Sequence, residues 1–249
     1  MTCRQDDARE DTVQSGGDQV IPFSRRRAAI ARRLTQSVQT IPHFYLSLDS
    51  DVTAALTWRA ACNDARGARI TVTDLVAKVT ALALRQFPRL NAHVGAEGIT
   101  LKSGVHLGIA VAVEDGLLVP VIPEADRLSL AALSERSRRN AATAREGRLL
   151  AGPAGTFTLT SLGMHGVRQF LPIINPPECA ILAVGAAEPR VRPAPEGVAV
   201  RQMMTLTLAC DHRAVDGTEA AQFLGAVRAG LEGIPGSLTD WVEAEEAAG

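Results

Sequence analysis

The chain has 249 residues, enough for one large domain, and its 46% hydrophobic and 21% charged content is ordinary for a folded globular protein. A formal net charge of −1 provides no overall attraction to nucleic acid or to an anionic membrane, so neither is expected as a partner. The sequence contains no apolar run of about 18 residues and no secretory signal peptide at its acidic N-terminus, which predicts a cytoplasmic protein.

The first third of the chain predicts an arm that is followed by helices around one strand. Residues 1–19 are polar and glycine-punctuated, so we expect a disordered arm or the remnant of a linker. Ser24 can cap a helix over about residues 25–40, whose apolar side chains recur at helical spacing. The alternating run HFYLSLDSDV predicts a strand. Two more helices follow, and Thr73 or Asp74 is the expected cap of the second.

The rest of the chain is rich in predicted strands, which are GVHLGIAVAV, GLLVPVI, GTFTLTSLG, ECAILAVGAA and QMMTLTLACDH. One helix over about residues 129–147 interrupts them, and a last helix covers about residues 218–233. No composition shift divides residues 20–241, and residues 242–249 form a short tail. We therefore predict one α/β domain, a two-layer sandwich in which helices pack on one face of a mixed β-sheet.

The stretch ACDHRAVDG places His212 at the end of an alternating apolar run. Spacing alone leaves three roles open for this histidine: a general base, a metal ligand, or a hydrogen-bonded residue at a strand end. The metal role is disfavoured, because His212 and Asp216 would supply only two ligands where zinc requires three or four, so we predict no metal. Cys210 would share a strand face with His212, but nothing nearby would lower the pKa of its thiol, so a cysteine nucleophile is also disfavoured.

Three other motifs have a structural interpretation. Asp216 and Glu219 are spaced as a capping box at the start of the last helix, although the same carboxylate could also hold an arginine or the histidine loop in place. The hydroxyls of GTFTLTSLG lie in a predicted strand, where threonine is common for steric reasons. The run IINPPE is a rigid prolyl turn.

Taken together, these segments resemble the catalytic domain of the dihydrolipoyl acyltransferases. That family forms the core of the 2-oxo acid dehydrogenase complexes and is related in fold to chloramphenicol acetyltransferase. The resemblance covers about residues 20–241. It runs in chain order through IPFSRRRAAIARRL, TIPHFYLSLDSDVTA, FPRLNA, LGIAVAVEDGLLVPVI, GTFTLTSLG, FLPIINPPECAILAVG and DHRAVDG. The HRxxDG box beside the TSLG and NPPE segments is its most specific part.

The resemblance implies an acyl transfer between a dihydrolipoyl thiol and coenzyme A, with three site residues. His212 would be the general base that takes the proton of the attacking thiol. Thr160 would donate its hydroxyl to the oxyanion, and Ser161 would take this role if the alignment were displaced by one residue. Asp216 would mainly fix the local structure. Coenzyme A would be a co-substrate, and the sequence does not name the residues that bind it.

The resemblance also implies an assembly. The family is trimeric, so in a homotrimer His212 of one chain would face Thr160 of its neighbour, and trimers could build a larger cage. The lipoyl group would come from another protein or from a missing domain, since neither Lys78 nor Lys102 has the setting of a lipoyl lysine. The expected partners are a lipoyl-domain protein and the decarboxylase component of a 2-oxo acid dehydrogenase complex.

Two alternatives keep the same fold. A free-standing acyltransferase that acts on the phosphopantetheine of a carrier protein, or on a biosynthetic acceptor, would need the same base and the same hydroxyl. A catalytically silent scaffold core is disfavoured, because His212 and Thr160 are both present.

Overall fold

The structure, a computed structural model, describes residues 14–15 and 18–238. The predicted tail over residues 242–249 lies outside them, as does most of the predicted arm over residues 1–19, so both remain predictions. The helices are α1 (Arg25–Thr40), α2 (Thr53–Arg66), α3 (Val72–Leu84), α4 (Leu130–Arg145) and α5 (Gly217–Glu232). The strands are β1 (Gln14–Ser15), β2 (Asp18–Gln19), β3 (His43–Asp51), β4 (Ala92–Val94), β5 (Ile99–Leu101), β6 (Leu107–Ile109), β7 (Val111–Val113), β8 (Gly116–Leu118), β9 (Val121–Ile122), β10 (Phe157–Ser161), β11 (Ala180–Ala194) and β12 (Gly197–Asp211).

A six-stranded sheet in the order β3-β12-β11-β10-β6-β9 forms the centre of the molecule. β10 runs parallel to its neighbours β11 and β6, whereas the other adjacent strands are antiparallel. The sheet is therefore mixed, as predicted. β11 and β12 are the longest strands and pair as one hairpin, with an irregularity between Val184 and Ala187. No helix among the residues described here is long and apolar enough to cross a membrane.

Helices α3 and α5 pack against one face of the sheet and enclose the main hydrophobic core. Phe223 of α5 contacts Phe157 of β10, with ring centroids 5.8 Å apart. Because successive side chains of a strand alternate between faces, Phe157 and Leu159 face the helices, whereas Thr158 and Thr160 face away from them. This alternation places the neighbouring hydroxyls of GTFTLTSLG on different sides of the sheet.

The chain between β10 and β11 crosses the opposite face of the sheet. Gln169 Nε2 donates to Ser47 Oγ (2.8 Å), and the backbone N–H of Ile174 donates to Nε2 of His43 (3.1 Å). Both bonds attach this crossing segment to β3, the edge strand that lies three positions from β10 in the sheet. Thr160 remains half-buried on the same face.

The helix starts show how far local sequence determines local structure. Ser24 Oγ accepts a hydrogen bond from the backbone N–H of Arg27 (3.1 Å), so the predicted cap of α1 is confirmed. The prediction of Thr73 or Asp74 as the cap of α3 is wrong. Thr71 caps this helix, because Asp74 sits three residues later and closes a capping box with it.

Candidate active site

His212 stands immediately after β12. Its backbone N–H donates to Pro42 O (3.0 Å), which extends the pairing of β12 with β3 by one residue. The imidazole ring packs against Phe44 with a centroid distance of 4.6 Å, and the residue is exposed. The histidine is thus fixed through its backbone, while its ring is accessible to a second molecule.

The turn that carries His212 is held by the carboxylate of Asp211, which is fully buried. Arg213 Nη2 donates to Oδ2 of Asp211 (2.6 Å) and Arg213 Nε donates to Oδ1 (2.9 Å). The backbone N–H of Arg213 adds a third bond of 3.0 Å to Oδ1. The sequence analysis did not predict the ion pair between Asp211 and Arg213. The DHR triplet could have indicated it, because a carboxylate and a guanidinium flank the histidine there.

Thr160 lies near the end of β10, where it is paired with Ala183 of β11. Its side chain is on the face of the sheet that points away from the helices, whereas Ser161 lines a cavity between α3 and α4. The two hydroxyls that the sequence left as alternatives therefore belong to different surfaces.

One chain does not bring His212 and Thr160 together. Cys210 of β12 is opposite Ala180 of β11, whereas Thr160 of β10 is opposite Ala183. His212 and Thr160 are therefore separated by roughly 17 Å along the strands and about 10 Å across them, as strand spacing dictates. A reaction that uses both groups at one carbonyl needs a second chain.

Asp216 occupies the N-cap position of α5, so the predicted start of this helix is confirmed to within a residue. The predicted capping box is wrong, because the Asp216 side chain makes no capping hydrogen bond. Asp216, Gly217 and Thr218 are exposed, so water can satisfy the first N–H groups of the helix without the carboxylate. The role of Asp216 beside His212 remains a prediction.

Cys179 and Cys210 are poorly placed for nucleophilic chemistry. Both are free thiols in the core. Burial raises the pKa of Cys179 to about 12 and raises the pKa of Cys210 as well. Thiols that resist ionisation in this way are inert, which agrees with the choice against a cysteine nucleophile. In the described part of the chain, no three His, Cys, Asp or Glu side chains are grouped so that they could hold a metal ion.

A cavity of about 640 Å³ adjoins the end of β10 on the helical side of the sheet. Exposed arginines border it, namely Arg69, Arg138 and Arg145, together with the N-terminus of α3. Ile109 and Val184 contribute apolar surface deeper in the sheet. Guanidinium groups bind phosphate, so this cavity suits a co-substrate with a phosphorylated end and an apolar arm.

Known proteins are similar to this chain over most of its length. The family described as 2-oxoacid dehydrogenases acyltransferase (catalytic domain) matches residues 15–238. The dihydrolipoyllysine-residue acetyltransferase component 3 of the mitochondrial pyruvate dehydrogenase complex of Arabidopsis thaliana is 42% identical, over 85% of this chain and 41% of its own length. The chain spans about half the length of the curated relatives it matches.

Solved structures extend the similarity to three dimensions. The dihydrolipoamide acetyltransferase of Azotobacter vinelandii, investigated for the roles of a serine, a histidine and an asparagine in its catalytic mechanism, has a TM-score of 0.85 at 33% identity and covers 90% of this chain and 95% of its own. The cubic core of a pyruvate dehydrogenase multienzyme complex has the same TM-score, the same identity and the same coverage of both chains. Chloramphenicol acetyltransferase is 13% identical, with a TM-score of 0.53 over 79% of this chain and 92% of its own, and shares the fold, which confirms the predicted fold class.

Proposed function

The chain belongs to the family of the 2-oxoacid dehydrogenase acyltransferases (catalytic domain), and on that premise we propose that it moves an acyl group between a dihydrolipoyl thiol and coenzyme A. The observation that carries the proposal is the placement of His212 and Thr160 as two half-sites on one sheet. In the Azotobacter vinelandii enzyme the serine precedes the histidine by 52 residues and the asparagine follows it by 4. Thr160 and Asp216 have the same spacings from His212, which supports Thr160 over Ser161 as the oxyanion donor.

The reaction needs a base, because a thiol with a pKa of about 8.5 is only a few per cent ionised at neutral pH. The imidazole of His212 takes the thiol proton, and the sulfur forms a bond to the thioester carbon. The resulting oxyanion accepts a hydrogen bond from the Thr160 hydroxyl. Its collapse breaks the bond to the other sulfur, and that thiolate takes the proton from the imidazolium. The base is thereby regenerated, and the transfer can run in either direction.

A homotrimer completes the site. His212 of one chain acts on a carbonyl group that is held at Thr160 of the next, because the gap within one chain is far longer than a hydrogen bond. His212 is exposed despite its contact with Phe44, which supports such a contact with a neighbouring chain. The similarity to a cubic core supports a further step, in which trimers build a cage.

The cavity beside Ser161 is our candidate for the site of the coenzyme A phosphates, with Arg69 and Arg145 on them, and the pantetheine arm would pass the end of β10 to reach Thr160 on the other face. The lipoyl group comes from another domain or another protein. Lys78 is fully buried in α3 and donates to Asp126 O (2.8 Å) and Leu128 O (2.6 Å), so it cannot carry a mobile arm. A lipoyl-domain protein and the decarboxylase component of a 2-oxo acid dehydrogenase complex are the partners that follow from this chemistry.

The names of the relatives favour this reaction over the alternatives. They are dihydrolipoyl acetyltransferases, which favours a dihydrolipoyl thiol over the phosphopantetheine of a carrier protein. The presence of both the base and the hydroxyl argues against a silent scaffold. The cytoplasmic location stays a prediction, since the plant relative is mitochondrial by name.

The sharpest test combines two inactive variants. His212→Ala lacks the base and Thr160→Ala lacks the oxyanion donor, but each keeps the half that the other has lost. If co-expressed chains assemble at random into cyclic trimers, about three quarters of the trimers contain one restored site, so we expect about a quarter of the wild-type activity. The assay is acyl transfer from acetyl-, propionyl-, isobutyryl- or succinyl-CoA to free dihydrolipoamide.

The matched control is a mixture of the two separately purified variants under conditions in which subunits do not exchange, and it should stay inactive. Absence of any recovery in co-expressed trimers would overturn the shared site. A wild type that transfers none of these acyl groups would overturn the proposed function.

A further inference from the structure

The prolyl turn IINPPE ends in a buried carboxyl group that the proposed reaction does not use. Glu178 lies just before β11 and is only 3% exposed. Its backbone N–H donates to Asn175 O (3.1 Å), which closes the turn. Burial raises the pKa of Glu178 to about 7. A carboxyl group is costly to bury unless hydrogen bonds compensate it, so its partners indicate what it holds together.

Both oxygens of Glu178 accept a hydrogen bond from a side chain. Thr158 Oγ1 of β10 donates to Oε2 at 2.5 Å, and Asn175 Nδ2 donates to Oε1 at 3.1 Å. A Cβ added at Gly155 would lie 2.7 Å from Oε1, so the missing side chain at that position is what admits the carboxyl group. Glu178 therefore joins the prolyl turn to β10.

Two charged or titratable groups on other elements face this site. Arg33 of α1 attracts the carboxylate of Glu178 and also donates a hydrogen bond to Pro176 O. His93 of β4 forms a backbone bridge with Glu178, and its Nε2 lies 2.7 Å from Gly155 O. Burial lowers the pKa of His93, so Arg33 supplies the positive charge on this side at neutral pH.

Glu178 is connected to both half-sites. Thr158 precedes Thr160 by two residues, so the two hydroxyls lie on the same face of β10. Cys179, the residue after Glu178, accepts a hydrogen bond at its carbonyl from the N–H of Asp211 (2.8 Å). The Glu178 carboxyl group is thus bonded to the strand that carries Thr160. The residue after it is bonded through its backbone to Asp211, which holds the turn of His212.

We propose that Glu178 is a positioning residue for acyl transfer, which holds β10 through Thr158 so that the Thr160 hydroxyl points at the oxyanion. The inference rests on the proposed function. A displaced oxyanion donor weakens a bond that exists only in the transition state and the tetrahedral intermediate. Loss of the bond between Glu178 and Thr158 therefore acts on kcat and leaves KM nearly unchanged.

The test measures kcat and KM of the trimeric wild type, Glu178→Ala, Thr158→Val and the double variant, with acetyl-CoA and dihydrolipoamide. Each single change is expected to lower kcat about tenfold with KM within about twofold, which is less than the loss of an oxyanion donor. The double variant should be no slower than the single ones, because all of them remove the same hydrogen bond. Glu178→Gln should restore most of kcat, because the Thr158 hydroxyl can rotate and accept from the amide.

Thr207→Val is the matched control. Thr207 is also a buried threonine on this face of the sheet, but it bonds Ser47 Oγ (2.9 Å) instead of an element next to β10. This variant should keep its kcat.

A second readout requires no activity. With ¹³C-labelled threonine methyl groups, the NMR signal of Thr160 should shift in Glu178→Ala and Thr158→Val and stay in place in Thr207→Val.

Three results would overturn the inference: an unchanged kcat in folded, trimeric Thr158→Val, losses that add in the double variant, or a Thr160 signal that does not respond to Glu178→Ala. A wild type without transfer activity would instead overturn the proposed function. In that case the threonine signals would still decide whether Glu178 positions Thr160, so the two failures are distinguishable.

Discussion

The two proposed half-sites of this chain are held in different ways. His212 follows the end of β12, its ring is exposed, and its turn is fixed by the buried carboxylate of Asp211. Thr160 is half-buried within β10, two residues from the buried hydrogen bond between Thr158 and Glu178. A general base must meet a thiol that arrives from outside the chain, whereas an oxyanion donor must be in place before the charge develops. An accessible ring on a fixed turn suits the first task, and a hydroxyl on a paired strand suits the second.

The largest loss of kcat is expected when the His212 imidazole is removed. His212→Ala removes the group that takes the thiol proton, so kcat should fall roughly 10²–10⁴-fold, the range for a lost general base. Because the backbone N–H of His212 makes the bond to Pro42 O, the variant should keep the fold and the proposed trimer. Size-exclusion chromatography and thermal unfolding provide the control. A folded, trimeric variant with nearly wild-type activity would show that another group is the base.

Removal of the Thr160 hydroxyl should lower kcat slightly less than removal of the His212 imidazole. Thr160→Val removes the oxyanion donor at nearly constant volume and should lower kcat by about 10²–10³-fold, whereas Thr160→Ser keeps the hydroxyl and most of the activity. Ser161→Ala is the matched control, because Ser161 lies on the cavity side of the sheet. Its main effect should be on the KM for acyl-CoA. The reverse result, a large loss of kcat in Ser161→Ala and none in Thr160→Val, would exchange the two roles.

Glu178, next to the Thr160 strand, should make the free energy of unfolding of the chain depend on pH. Burial raises its pKa to about 7 from an ordinary 4.5, so the folded chain holds a proton between these values that the unfolded chain has lost. The free energy of unfolding therefore falls as the pH rises through this window, by up to about 3 kcal/mol per chain, and stays lower above pH 7. Glu178→Gln cannot ionise and should lack this part of the fall.

Urea unfolding of wild type and Glu178→Gln at pH 5 and at pH 8 measures the difference, with the protein concentration held constant because a trimer dissociates as it unfolds. Other carboxylates titrate in both proteins and cancel in the comparison. Parallel pH dependences would contradict a buried, proton-binding Glu178.

Local patterns predicted the elements of both halves, but not how far apart the halves lie. The cap at Ser24 and the alternation of GTFTLTSLG depend on residues close in sequence, so the chain reveals them directly. The gap between His212 and Thr160 depends instead on strand order and register. These are set by pairs such as Asp211 with His43, which are far apart in the chain.

The residues that support the site were harder to predict, because they are acidic residues at or next to the end of a strand. Such positions are normally exposed, so the sequence around Asp211 and Glu178 did not predict their burial. Glu178 is buried together with a partner on another strand, Thr158, which is 20 residues away. Asp216 shows the converse: the residue types of a capping box are present, but an exposed helix start does not require the bond.

Asp216 carries the smallest expected effect, and it tests whether the His212 half depends on a second carboxylate. With no capping bond to lose, Asp216→Ala and Asp216→Asn should each cost about 0.3–1 kcal/mol, the attraction of a negative charge to a helix N-terminus. Their kcat should stay within about fivefold of wild type, a change of about 1 kcal/mol or less in the activation free energy, because Asp216 is assigned to the helix start and not to the reacting atoms. Chemical unfolding and the transfer assay measure both. A loss of about 2 kcal/mol would mean that the capping bond forms in solution, because that is the upper range for a lost N-cap. A loss of kcat close to that of His212→Ala would make Asp216 part of the catalytic machinery rather than of the helix start.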